Sequence, residues 1–306
     1  MGPGEILGLV AAMIWATSNT LMRMQTARLG AVAVNFWRCL VTVPFFFVLY
    51  LLLRDPGTVR ELAPRTVLYI VMGVCIGMVT GDSLQYHAIK LIGVSRAMPI
   101  SGCFPLFTVF FAWLINSEPI RVRVIGGAVV VMTGVLLISL PKRAFAARSR
   151  IVGIIAAPAP VAVNRANTVG VTLSLIAAVC WSLSTVIQSK ALAHADTITV
   201  NLIRMPVAAC VLFVASRGRA SIPLRQFGWR TFVFLGAIGI FGSGLASLAY
   251  LGSLQIAGAG KTAILGATAP LFALPLSVVL LGERPGWRGV GGTALTVLGI
   301  GLVVWS

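Results

Sequence analysis

The chain has 306 residues, 58% of them apolar and only 10% charged, with a formal charge of +17 and a mean hydropathy of +0.98. A soluble domain carries about 25% charged residues, so this composition excludes an ordinary soluble fold and describes a chain solvated by lipid. The positive balance does not argue for nucleic acid: its 24 Lys and Arg fall mostly in short loops or at the ends of apolar runs, where they orient helices and meet headgroups, and no basic stretch is interleaved with aromatics.

Apolar runs fall at about 4–26, 31–53, 66–89, 94–116, 122–140, 168–192, 198–216, 229–254, 258–281 and 287–305. Each is near the ~20 residues a helix needs to cross a bilayer, which predicts an all-α integral membrane protein with ten transmembrane helices. The first run lacks a basic leader and carries Thr17, Ser18, Asn19 and Thr20, so it reads as a retained helix rather than a cleaved signal. Trp15, Ser18, Asn19 and Met22 share one face of it, a stripe that either lines a cavity or glues helices together. The second run holds Asn35 and Arg38, early in its length.

The third run contains Gly81-Asp82-Ser83-Leu84-Gln85-Tyr86-His87. Asp82 is the one carboxylate well inside any run, and Asp82, Gln85 and Tyr86 share a helical face. A carboxylate in that position is costly unless paired or functional, so Asp82 is either a substrate or ion site or the partner of Arg38, Arg96 or Arg204. His87 stands beside it, as a further site residue or a headgroup contact. The fourth run opens at Arg96, behind Gly93-Val94-Ser95. A cation beside free helix amides suits a carboxylate or phosphate, unless it snorkels to the interface. Pro99, Gly102 and Pro105 loosen that run, and Glu118 punctuates its end before Gly126-Gly127 in the fifth.

After 140 the pattern restarts. Residues 141–167 are basic and then Ala/Pro-rich, the composition of a linker. Trp181, Asn201 and Arg204 follow Trp15, Asn35 and Arg38 at one common interval, a little over half the chain. Lys261, Pro270 and Glu283 follow Arg96, Pro105 and Glu118 at an interval shorter by a single position. A nearly constant offset that long means duplication of half the chain, giving a first unit at 1–140, a linker at 141–167 and a second unit at 168–306. An odd number of crossings per unit inserts the second unit upside down, as two inverted five-helix repeats around a central cavity. The sixth run repeats the polar stripe as Trp181, Ser184, Thr185 and Gln188. Where the first unit has Asp82 and Gln85, the second has Ser247 and Tyr250, and such departures from the repeat are where specificity is expected.

Nothing points to catalysis or a cofactor. The five cysteines lie within runs without CxxC spacing, two histidines are too few for a metal site, and no GxxxxGK[ST] phosphate loop exists.

In the second unit, Ala249-Tyr250, Gly258-Ala259-Gly260-Lys261, Pro270-Leu271, Leu281-Gly282-Glu283, Gly291-Gly292 and Gly299 form an ordered set of loose motifs. The first unit repeats it as Tyr86-His87-Ala88, Gly93-Val94-Ser95-Arg96-Ala97, Pro105-Leu106, Glu118, Gly126 and Gly134. With Trp15 and Arg38, the pattern resembles the ten-helix EamA-type members of the drug/metabolite transporter superfamily over nearly the whole chain except 141–167. The resemblance implies inverted repeats around a central cavity and secondary transport of small metabolites, often amino acids and often outward. The first helix lacks, after Glu5, the Glu on which small multidrug relatives depend, which argues against drug-cation export by that route.

The expected function is therefore transport of a small metabolite, an aromatic amino acid favoured, out across a bacterial- or archaeal-type cytoplasmic membrane. Its site would draw on Trp15, Asn19, Arg38, Asp82, Tyr86, His87, Arg96, Trp181, Thr185, Arg204, Tyr250 and Lys261, with no cofactor or metal. Expected partners are the solute, membrane lipid and a coupled proton, in a monomer. The alternative is an organic-anion or phosphorylated-metabolite exchanger using Arg96 and Lys261; a channel, scramblase or intramembrane enzyme stands further off. Orientation is divided: loop charges, seven against fifteen, favour outside termini, whereas the resemblance implies cytoplasmic ones.

Overall fold

Backbone in lipid must close its hydrogen bonds within each crossing segment, and every regular element among the described residues is a helix. The computed structural model describes residues 1–26, 31–55, 57–92, 97, 100–119, 121–139, 160–219, 229, 233–234, 236–269, 271–272 and 287–305, without the side chains of 19–26, 31, 90, 138–139, 160–167 and 288–289. Gly93 to Arg96, Pro99, Pro270, Glu283 and the linker up to residue 159 lie outside the described residues, as does the side chain of Asn19.

The helices are α1 (Pro3–Thr26), α2 (Ala31–Leu53), α3 (Pro64–Val74), α4 (Asp82–Ile92), α5 (Phe104–Asn116), α6 (Val122–Ser139), α7 (Pro160–Leu192), α8 (Thr197–Ala215), α9 (Ala246–Ala257), α10 (Ala259–Gly266) and α11 (Trp287–Val304). Five described stretches are long and apolar enough to cross a bilayer: Val32–Leu53, Pro64–Ile89, Thr168–Leu192, Thr197–Ala215 and Gly236–Ala257. Shorter apolar helices occupy Pro3–Ser18, Phe104–Asn116, Val122–Leu137 and Val290–Val304. The chain is a multi-pass integral membrane protein.

Large apolar side chains cover the outside as well as the core. Phe47, Leu52, Trp113, Leu114, Val214 and Leu298 are exposed, while Asn35, Gln85, Gln188 and Asn201 are buried. Apolar side chains facing outward meet lipid, so the polar ones must find partners or a function inside.

Three local features depart from the expected helices. The third span is not continuous α-helix: a π segment, Cys75–Gly81, joins α3 to α4. A second, Ile240–Leu245, leads into α9, and the two begin at the interval that separates Arg96 from Lys261. Each widens the turn just before the next α-helix, where the Asp82 amide bonds the Gly77 carbonyl and the Ala246 amide the Phe241 carbonyl. The fourth run is broken just ahead of Pro105, where Gly102 and Cys103 form a turn after helical Ile100 and Ser101. Pro105 then stands in the first turn of α5, behind Cys103 at the cap, where its missing N–H costs nothing. The helix of the sixth run, α7, begins at Pro160, inside the segment expected to be linker.

The glycine row of the third span explains half of the polar stripe on α7. A Cβ on Gly73, Gly77 or Gly81 would meet Gln188, Ser184 or Trp181 respectively. Ser184 Oγ donates to the Gly73 carbonyl at 2.6 Å, and Gln188 Nε2 donates to Ser184 Oγ at 2.7 Å. Ser184 and Gln188 are therefore helix glue, not cavity lining. Ser18 of α1 packs in the same way against Gly242 of the second π segment. On the far side, Gly127 and Gly134 of α6 meet Val303 and Thr296 of α11, and Gly299 meets Val131, so small residues set that close packing while Gly126 faces open space.

Candidate substrate site

Past the glycine row, the interior turns polar. Asp82 is the first residue after the π segment, with its side chain 17% exposed. Arg38 Nη2 donates to Asp82 Oδ2 at 2.5 Å and to Asn35 Oδ1 at 2.9 Å. Asn35 in turn donates to the Met78 carbonyl at 2.9 Å, an acceptor that lies within the π segment. Trp181 Nε1 donates to Asp82 Oδ1 at 2.8 Å. Asp82 thus ties α2 and α4 to α7, and of its three expected partners, Arg38, Arg96 and Arg204, it pairs with Arg38. Tyr86, one turn further along α4, is half-buried on the same face as Asp82.

The matching place on the other side is built differently. Arg204 Nη1 donates to Asn201 Oδ1 at 3.3 Å and to Ser247 Oγ at 3.2 Å. Its Nη2 meets Met78 Sδ at 3.2 Å, and its Nε has no partner among the described residues. Ser247 Oγ donates to Asn201 Oδ1 at 2.8 Å. Tyr250 stands one turn beyond Ser247 on α9.

Aromatic walls complete the cluster. Trp15 and Tyr250 pack with ring centroids 4.9 Å apart, and Trp181 meets Phe104 edge-on at 6.1 Å. Thr185 donates its only hydroxyl hydrogen to the Trp181 carbonyl at 2.9 Å. The 3.0 Å contact between Thr185 Oγ1 and Tyr250 Oη is therefore donated by the tyrosine.

Of the residues expected here, Trp15, Arg38, Asp82, Tyr86, Trp181, Thr185, Arg204 and Tyr250 come together. His87 does not join them: it is exposed, with Nδ1 3.3 Å from the Ser83 carbonyl one turn earlier, because it sits a step around the helix from Tyr86. Lys261 is also engaged elsewhere. Its Nζ lies 3.7 Å from Glu5 Oε1, and the helix start it occupies is already capped. Ala259 and Gly260 donate their amides to the Glu118 carboxylate at 3.0 and 3.4 Å. An anion at that helix start would have to displace the protein's own carboxylates, so the arrangement disfavours Lys261 as an anion anchor. Arg96 lies outside the described residues.

Asn35, Met78, Asn201 and Ser247 are participants that sequence reasoning does not place among the site residues. The two asparagines stand one turn before their arginines, a spacing that carries the signal; nothing marks Met78 in the sequence. Where the start of α3 meets the end of α7, a cavity of about 510 Å³ is lined by Glu61, Arg65, Tyr69, Lys190 and His194 among others.

The EamA-like transporter family profile matches residues 2–140 and 168–305. A transporter of Archaeoglobus fulgidus, described as uncharacterized, is 24% identical over 98% of this chain and 97% of its own length. Human solute carrier family 35 member G1 is 22% identical over 97% of this chain and 77% of its own length. A crystal structure superposes with a TM-score of 0.76 at 18% identity, covering 99% of this chain and 96% of that one; at that identity it speaks for the fold alone.

Proposed function

The chain belongs to the EamA-like transporter family, and from that premise we propose a secondary transporter that moves a small metabolite by alternating access. In this reading ten helices form two inverted five-helix repeats, and the cluster around Asp82 and Arg204 is the central site. The substrate class we favour is amino acids, aromatic ones first, exported across a bacterial- or archaeal-type cytoplasmic membrane.

The supporting observation is the Trp181–Asp82 hydrogen bond of 2.8 Å. It joins the two sequence units at a buried polar cluster that packing does not require. Two arginines and a carboxylate inside a lipid-facing bundle are expensive, and apolar side chains would fill the same space at lower cost. A site shared between two halves is also what rocking of one half against the other needs. The aromatic surfaces of Trp15, Tyr250 and Trp181 suit a solute with an apolar or aromatic side chain, and in this reading a coupled proton, where there is one, is carried by Asp82.

Counterflow in proteoliposomes tests this with a panel of amino acids, organic anions, amines and sugars. Saturable exchange of at least one panel member is expected. Linear, unsaturable flux would mean a channel, and uptake of none would remove the transporter assignment.

A further inference from the structure

We infer that Arg204 is the anchor for an anionic group of the transported solute, which makes the substrate class carboxylates, with Met78 holding the anion's place in this structure. The inference rests on the transporter reading above and narrows it.

Arg38 and Arg204 occupy equivalent places in the duplicated sequence, and each donates to an asparagine one turn before it. The next partner differs. Arg38 finds the carboxylate of Asp82; at the position equivalent to Asp82 the second unit supplies Ser247, a neutral hydroxyl. Arg204 belongs to none of the three ion pairs among the described residues. It is nevertheless the more buried of the two, at 7% exposure.

A buried cation without a counter-charge is strongly destabilising, and this chain carries the remedy at the equivalent place in its other half. Ser247 has spent its one hydrogen on Asn201, so it offers Arg204 a lone pair and no charge. These neutral acceptors orient the guanidinium without neutralising it. On Nη2 the contact is a thioether, among the weakest of acceptors, carried on a flexible side chain that moves aside readily. Arg38, Asp82 and Arg204 together leave one positive charge, which a bound monoanion cancels. Tyr250, one turn beyond Ser247 on α9 and packed on Trp15, supplies an apolar wall to the same cluster.

The test uses the purified full chain in detergent for thermal shifts and in proteoliposomes for counterflow. The carboxylate probes are phenylalanine, phenylpyruvate, alanine and succinate; phenethylamine, putrescine and glucose lack the group. At least one carboxylate should raise Tm and exchange, and its decarboxylated or neutral counterpart should do neither. Ser247→Asp places a carboxylate on Arg204, as Asp82 sits on Arg38. That variant should keep or raise the ligand-free Tm while losing affinity for the active carboxylate by about tenfold or more. Arg204→Gln should lose the same affinity, and the comparison of probes on the wild-type chain decides the matter should either variant fail to fold. Exchange confined to amines or glucose would overturn the anion anchor and leave the transporter standing, as would Ser247→Asp with unchanged carboxylate affinity. Exchange of no probe at all would remove both readings.

Discussion

Arg204 donates to Ser247 across 3.2 Å where Arg38 donates to Asp82 across 2.5 Å. The two arginines and their asparagines keep the interval of the sequence duplication, and the two π segments that precede Asp82 and Ser247 keep it to within one position. A π turn inserts one residue into the ladder and rotates the rest of the helix by roughly 100° about the axis. Asp82 and Ser247 therefore owe their inward direction to the same backbone device. Only the final partner has diverged, from a carboxylate to a hydroxyl, and that one change decides which side of the cluster keeps an unneutralised charge.

Gly77 should be the least replaceable glycine of the third span. A Cβ there collides with Ser184, whereas Gly126 faces open space. Gly77→Ala is expected to cost about 1–3 kcal/mol through overpacking, and Gly126→Ala to be neutral or slightly stabilising within its helix. Thermal unfolding in detergent measures both. Equal Tm values would show that the α3–α7 seam yields easily.

Trp181→Phe separates the indole N–H from the ring. The edge-on contact with Phe104 survives, but Asp82 loses a donor. Expected is a loss of about 1.5–3 kcal/mol in stability, the range for a hydrogen bond to a charged group, together with weaker solute exchange at unchanged protein yield. Wild-type exchange in Trp181→Phe would take the N–H out of the mechanism and leave Trp181 as a wall only.

Asp196 gives a pH signature outside the membrane. Burial works to raise its carboxyl, but the Thr199 hydroxyl, the Ile198 and Thr199 amides and Arg54 all bond the charged form and hold it below its ordinary value of 3.8. The Arg54 contact is 3.0 Å long and partly exposed, so solvent screens much of it. Because the folded value is depressed, this contribution is full above pH 3.8 and is lost as pH falls through the lower folded value. Asp196→Asn should unfold at lower temperature than wild type at pH 7, and the gap should shrink toward pH 3. A constant gap across that range would mean that the charge of Asp196 contributes nothing.

The third-span face of Asp82 and Tyr86 was readable in the sequence because both residues lie beyond the π segment, in regular helix where the 3.6-residue period holds. Arg38 and Arg204 were readable as arginines inside apolar runs. The π segments were not: glycine-rich apolar sequence such as Cys75 to Gly81 carries no period that distinguishes them from ordinary helix. Ser184 and Gln188 shared a stripe with Trp181 and Thr185, yet a helix face about 100° wide can serve a packing seam at one edge and a site at the other. Lys261 looked like an anion anchor because its helix start appeared free. The carboxylate that caps it, Glu118, comes from 141 residues earlier in the chain, a pairing that local sequence cannot announce.

Asp82 allows the sharpest separation of fold from function. Asp82→Asn removes the counter-charge of Arg38 and leaves a largely buried guanidinium with neutral acceptors only. Breaking a buried pair from one side costs on the order of 3–5 kcal/mol, so yield and Tm should both fall. Asp82→Asn with Arg38→Gln removes both charges and should recover most of that loss, since two amides of similar shape can bond each other and Trp181 Nε1 still finds an oxygen. Transport should not recover with the fold, because the double variant no longer has a carboxylate to exchange its partner or carry a proton as the halves move. Tm and counterflow measured on the three proteins decide it. Recovered fold with wild-type exchange would make the Arg38–Asp82 pair scaffold; recovered fold with lost exchange places it in the transport cycle.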